Sequence, residues 1–144
     1  MRRLDHAMIF LLIAGTFTPF GLLVLSGALA AVILTVVWAG AAAGIVLKLV
    51  WIDAPRWVSA ALYVALGWVG VAALPELLVR MGWMATGLLV LGGLLYSAGA
   101  LVYALRRPDP APAVFGYHEI FHALVIAAAL AQYAVVAFFV LPAR

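Results

Sequence analysis

Long apolar runs, separated only by short polar connections, are the feature that most constrains how this chain can fold. Of its 144 residues, 69% are hydrophobic and 9% are charged, whereas soluble domains carry about 25% charged residues. A helix needs about 20 apolar residues to cross a bilayer, and several runs reach that length. The sequence therefore predicts an all-α, polytopic transmembrane helix bundle whose surroundings are the lipid bilayer.

Five spans are predicted within one integral membrane domain, residues 1–144. They cover residues 4–24, 28–50, 57–74, 83–105 and 114–141. "LSG" (Leu25 to Gly27) predicts a tight turn, and "RRPDPAP" predicts a loop because proline lacks an N–H and the residue before it avoids helix. The first run follows Asp5 and continues to spanning length, so we expect a retained helix and not a cleaved signal.

The positive residues are unevenly divided between the two predicted sides of the membrane. One side has Arg80 and Arg144, and the other has Arg2, Arg3, Lys48, Arg56, Arg106 and Arg107. The positive-inside rule then puts the N-terminus in the cytoplasm and the C-terminus outside. The net charge of +3 is spread over short connections, so no nucleic-acid partner is expected. Cysteine is absent, which excludes disulfides and thiolate metal sites.

The stretch "GYHEIFHALV" contains the pattern H-E-x-x-H at His118, Glu119 and His122. On a helix this pattern begins many zinc peptidase sites, with the glutamate as general base. A peptidase is disfavoured here because the chain beyond His122 contains no His, Asp, Glu or Cys, and because the Glu119 side chain points about 100° away from that of His118.

Two interpretations of the histidine pair stay open on the residues alone. His118 could be solvated at the interface while His122 bonds to a neighbouring backbone. Alternatively, both imidazoles hold a metal, with Asp5 and Glu119 at similar depth as supporting carboxylates. Among other polar residues, we expect Glu76 to be solvated at a span end and Gln132 and Tyr133 to bond between helices. Small residues four apart in "GAAAG" and "GLLYS" either allow close helix packing or arise by chance.

Three stretches resemble the haemolysin III family, the bacterial branch of the progestin and adipoQ receptor superfamily. They are "LDHAMIFLLIAGTFTPF" (Leu4 to Phe20), "GGLLYSAGALVYALRRPDP" and "YALRRPDPAPAVFGYHEIFHALV" (Tyr103 to Val125). The resemblance implies a seven-helix fold in a bacterial inner membrane and a zinc ion near its cytoplasmic side. It implies that His118 and His122 are zinc ligands and that Asp5 is the aspartate thought to act near a zinc-bound water.

The chain also departs from the family pattern. It resembles the last five helices of seven, and the second-helix Ser-x-x-x-His motif that supplies the third zinc ligand has no counterpart. His6 is a candidate substitute, although it also falls within the family's own "LDH" pattern. Either the sequence is shortened or this is a reduced protein whose metal site is weakened or lost; we expect the former.

Three functions follow as expectations. The first is a zinc-dependent membrane hydrolase of lipid amides such as ceramide, with Asp5 orienting or deprotonating the water. The second is membrane permeabilisation, as the family name implies, although no predicted span shows the regular polar stripe of a water-filled pore. The third is a membrane sensor or structural protein without enzymatic activity, in which metal only joins helices.

Overall fold

The computed structural model describes residues 2–51, 54–111 and 114–142, and in residues 2–7 and 56 it describes only the backbone. Asp53, in the connection predicted between the second and third spans, and the terminal Arg144 lie outside these residues. The described part contains five α-helices and no strands. They are α1 (Arg2–Leu23), α2 (Gly27–Val50), α3 (Arg56–Trp68), α4 (Leu74–Leu105) and α5 (Tyr117–Val135). This confirms the predicted all-α membrane bundle.

Helices α1 and α2 form an antiparallel pair joined by the predicted tight turn. Gly27 has a φ of 60°, a left-handed value that glycine adopts without steric cost. Gly21 lies against the side chain of Leu34, and Gly44 lies against the ring of Phe10 too closely for any side chain at that position. Phe10 is fully buried, and its ring centroid lies 4.7 Å from that of Tyr63 on α3. Phe10 therefore joins the first three helices.

The predicted boundary between the third and fourth spans differs from the structure. The α-helix ends at Trp68, a 3-10 turn covers Val69–Ala73, and α4 already begins at Leu74. The chain reverses instead at Gly82, which has non-helical φ and ψ of 80° and 175°. A hydrogen bond of 2.8 Å from Trp68 Nε1 to Ser97 Oγ joins the two arms. Pro75 lies in the first turn of α4, where proline is well tolerated, so it does not interrupt the helical run.

Three helical runs in the described residues are long and apolar enough to cross a membrane: Gly27–Val50, Trp57–Leu105 and Tyr117–Val140, with a shorter apolar helix at Met8–Leu23. The second run has 49 residues, about twice what one crossing needs, and the reversal at Gly82 divides it. The outer surface is apolar, with Val79, Trp83 and Val50 more than three-quarters exposed. Such a surface suits lipid and not water.

Helix α5 packs along α4, and a π-helical turn, Val136–Val140, extends it. Gly92 and Gly99 on α4 make this close packing possible, as small residues do in membranes. A methyl group added at Gly92 would lie 3.4 Å from the Ala128 carbonyl oxygen, and one at Gly99 would lie 3.4 Å from Leu124 Cβ. Helices α1, α3 and α5 begin at the same end of the bundle, which we call the histidine end.

Candidate metal site at the histidine end

The loop between α4 and α5 sets the position at which α5 begins. Arg106 ends α4 with a left-handed φ of 55°. Ala111 and Phe115 then close a tight turn through two backbone hydrogen bonds, of 2.7 and 3.2 Å. After one more residue, Gly116, α5 begins at Tyr117. The turn thus places the histidine motif in the first turns of α5.

Two carboxylates cap the start of α5. Asp109 Oδ1 accepts a hydrogen bond of 3.1 Å from the Tyr117 N–H, and Glu119 Oε2 accepts one of 2.9 Å from the Gly116 N–H. The first N–H groups of a helix have no partner within the helix, and negative charge there is favourable. Asp109 was not singled out in the sequence, although an acidic residue in a proline-rich loop before a helix is a usable signal.

Glu119 lies between the start of α5 and the histidine pair. One of its oxygens caps the helix, and the other lies 3.9 Å from His118 Nδ1, which is beyond hydrogen-bond length. Glu119 is therefore a capping residue in this structure.

His118 and His122 lie side by side on one face of α5. Their ring centroids are 4.6 Å apart, and the rings meet edge to face at 79°. The ring of Phe121 packs 5.1 Å from that of His122 and 5.1 Å from that of Tyr103 on α4. Because the His118 side chain is 44% exposed, the pair borders the bundle's interior without being sealed inside it. The spacing lets both imidazoles approach one ion.

Among the described side chains, His118 and His122 are suitable zinc ligands, but two ligands do not make a complete zinc site. Zinc takes histidine nitrogens readily, and its protein sites have at least three protein ligands. No group of three His, Cys, Asp or Glu side chains able to hold a metal occurs among the described residues. The structure brings His118 and His122 together. Asp5 and His6 lie in the first turns of α1, but their side chains are outside the described part of the chain.

An interior cavity of about 100 Å³ lies further along the bundle, between α1, α3, α4 and α5. Its lining is apolar apart from a few groups, of which Gln132 is one. The Gln132 Oε1 atom is buried and has no hydrogen-bond partner, so the expected interhelical bond to this oxygen is not formed. Gln132 lies ten residues beyond His122, or about 15 Å along the helix.

A second polar cluster lies at the opposite end of the bundle. Glu76 Oε1 accepts hydrogen bonds from the N–H and hydroxyl of Ser26, at 3.1 and 3.0 Å, and lies 2.8 Å from Arg80 Nε. Arg80 also donates to the Ser26 hydroxyl at 2.7 Å. Glu76 lies at an end of the bundle, as expected, and is also bonded to Ser26 and Arg80. The i, i+4 spacing of Glu76 and Arg80 was the available signal for their ion pair.

Comparisons with known proteins found a matching family and several relatives. Residues 1–133 match the family described as "Haemolysin-III related". The chain is 34% identical to "Hemolysin-3 homolog" of Bacillus subtilis over 136 residues, covering 94% of this chain and 61% of that protein. It is 34% identical to "Hemolysin-3" of Bacillus cereus over 139 residues, covering 96% of this chain and 61% of that protein.

A eukaryotic relative is also similar. The "Adiponectin receptor protein" of Drosophila melanogaster is 35% identical over 153 residues, covering 91% of this chain and 33% of that protein. No solved structure matches. The chain spans about three fifths of the length of the two bacillar relatives. A family match over nearly the whole chain, on an all-α membrane bundle, establishes that this protein belongs to the haemolysin III family.

Proposed function

We propose that this chain is the metal-binding part of a zinc-dependent membrane hydrolase that acts on amide-bonded lipids such as ceramide. The observation that carries the proposal is the His118–His122 pair, with ring centroids 4.6 Å apart one helical turn from each other. Placing two histidine side chains within a membrane costs free energy, and such residues commonly mark functional sites. We also propose a bacterial inner-membrane location with the N-terminus in the cytoplasm, as the charge distribution indicates.

His118 and His122 would hold zinc through one nitrogen each, and a third ligand must come from outside the described side chains. Bound zinc supplies Lewis acidity that activates water at neutral pH. Asp5 would orient the attacking water or accept its proton. The rings of Phe121 and Tyr103 hold the imidazoles in position from the α4 side. The apolar outer surface would let a lipid reach this end laterally.

The test is release of fatty acid from a fluorescent ceramide by the purified chain in lipid vesicles. We expect release that stops with a chelator, returns with zinc, and is lost in Asp5→Asn and in His122→Ala. Asp109→Asn is the matched control, because it changes an acid at the same end while keeping an oxygen that can cap α5. Release that persists in both test variants would refute the assignment.

Membrane permeabilisation is the second candidate, because two relatives carry the name Hemolysin-3. It predicts leakage of a trapped dye from the same vesicles, with no effect of a chelator or of His122→Ala. Leakage without fatty-acid release would favour this function over hydrolysis. Zinc binding without either activity would support the metal-joined sensor or structural protein instead.

A further inference from the structure

The interior cavity between α1, α3, α4 and α5 has room for a small molecule. Its volume is about 100 Å³, whereas a helix with its side chains is about 10 Å wide, so no further helix fits inside it. For comparison, an engineered protein cavity of about 150 Å³ binds benzene. The occupant is therefore of about this size or smaller, or it is the end of a longer chain.

Two glycines on neighbouring helices create part of this space. Gly67 near the end of α3 and Gly93 on α4 both line the cavity, and a methyl group added at either would meet no atom within 4 Å. Trp68 and Val71 also line the cavity, and each is 44% exposed at the outer surface. A molecule dissolved in the bilayer therefore has a short path into the cavity on this side.

Gln132 brings an amide with incomplete hydrogen bonding to this cavity. Its side chain lines the cavity, and its Oε1 atom is buried with no hydrogen-bond partner among the described residues. The terminal torsion of a glutamine side chain is broad, so the amide can turn this oxygen toward the cavity. A buried acceptor without a donor costs free energy. An occupant that donates one hydrogen bond is therefore favoured.

Two other polar side chains that line the cavity already use their donors elsewhere. The Thr16 hydroxyl donates to the Ile13 carbonyl at 2.8 Å, and Trp68 Nε1 donates to Ser97 Oγ at 2.8 Å. A buried water typically makes about three hydrogen bonds, and these two donors supply none of them. A hydrocarbon offers no donor to Gln132. An aliphatic alcohol needs fewer partners than water and places its carbon chain against the mostly apolar lining.

We propose that this cavity binds an aliphatic hydroxyl group, which donates to Gln132 Oε1 while its carbon chain lies beside Gly67 and Gly93. The hydroxyl belongs either to a free short alcohol or to the end of a lipid chain, because the chemistry is the same. Neither His118 nor His122 lines the cavity, and Gln132 lies about 15 Å beyond His122 along α5. The site therefore does not depend on the proposed hydrolase.

The experiment titrates the purified chain in lipid nanodiscs with 1-butanol and with n-pentane, which are similar in size. Each dissociation constant follows from the rise in the thermal midpoint with ligand concentration. We expect 1-butanol to bind about tenfold more tightly than n-pentane, since one hydrogen bond distinguishes the two. In Gln132→Leu this preference should disappear, because leucine is similar in size to glutamine and has no acceptor.

Two glycine variants control for the effect of an alcohol on the bilayer itself. Gly93→Leu fills the cavity and should bind neither probe. Gly87→Leu is the matched control and should bind as the wild type does, because Gly87 on α4 does not line the cavity and also has no atom within 4 Å of an added methyl. A wild type that responds as Gly93→Leu does, equal binding of both probes, or a preference that persists in Gln132→Leu would overturn the proposal.

A competition measurement identifies the source of the hydroxyl. The probes are ω-hydroxypalmitate, whose chain ends in a hydroxyl, and palmitate, whose chain does not. Displacement of 1-butanol by ω-hydroxypalmitate and not by palmitate would assign the hydroxyl to a lipid chain, and displacement by neither would assign it to a free alcohol. Equal displacement by both would contradict recognition of a hydroxyl.

Discussion

At the end of the bundle opposite the histidines, Glu76, Arg80 and Ser26 bond to one another, whereas at the histidine end Asp109 and Glu119 bond to backbone N–H groups. The first arrangement ties the α1–α2 turn to α4 and closes on itself. The second uses the acids to begin α5, beside the two imidazoles. Carboxylates thus form a closed structural cluster at one end, and at the other end they cap a helix beside a candidate ligand pair.

The largest expected effect is the change in thermal stability on adding zinc, which should depend on the histidine end and not on the Glu76 cluster. A ligand at 100 times its dissociation constant stabilises the folded state by about 2.7 kcal/mol if it does not bind the unfolded state. We expect zinc to raise the thermal midpoint by an amount that corresponds to this free energy, measured by the fluorescence of the five tryptophans. Glu76→Ala should keep the rise, and His118→Ala/His122→Ala should lose it. An equal rise in both variants would place zinc elsewhere.

Glu76→Ala should cost the most stability among the single changes without zinc. Glu76 Oε1 is the shared acceptor for Ser26 and Arg80, and its loss should lower the free energy of unfolding by about 1–2 kcal/mol. The value is modest because the Arg80 side chain is 46% exposed and can be rehydrated. Chemical or thermal unfolding in detergent measures it. An unchanged midpoint would show that the cluster does not stabilise the fold.

Asp109→Ala should cost about 1 kcal/mol, since it removes the acceptor of the Tyr117 N–H at the start of α5. Asp109→Asn should be close to wild type because its amide oxygen can accept the same bond. Thermal unfolding of the two variants measures the difference. If asparagine is as damaging as alanine, charge near the helix start matters more than the hydrogen bond.

Glu119→Gln should have the smallest effect. A glutamine oxygen can still accept the Gly116 N–H, and the other Glu119 oxygen, 3.9 Å from His118 Nδ1, is beyond hydrogen-bond length. Zinc content and fatty-acid release should both match wild type, as measured by elemental analysis and the vesicle assay. Loss of either with the fold intact would revive a direct role of Glu119 at the metal or in catalysis.

Most of the architecture could be predicted from the lengths of the apolar runs, because the thickness of the bilayer sets the length of a spanning helix. "GAAAG" also proved informative, since Gly44 packs on Phe10 and Gly40 on Leu66. The predicted connection, residues 75–82, contains the reversal at Gly82 but begins too early, because Pro75 is a stronger local signal than a single glycine. Periodicity does not show that Pro75 begins a helix while Gly82 reverses the chain.

Only part of the candidate site could be predicted from the sequence. Helical spacing fixes that His118 and His122 share a face, whatever the rest of the fold does. Which oxygen of Glu119 caps the helix depends on where Gly116 and Asp109 lie in a turn that has no periodic pattern. The contacts of Ser26 with Glu76 and Arg80 join residues far apart in the chain, and only the packed bundle brings them together.

The most direct test of the account is the zinc content of detergent-purified protein by elemental analysis, beside His118→Ala/His122→Ala. Glu119→Gln serves as the control variant, with circular dichroism to verify that all three proteins are helical. The account predicts about one zinc per chain in the wild type and in Glu119→Gln, and none in the double variant. No zinc in a folded wild type, or equal zinc in the double variant, would contradict it.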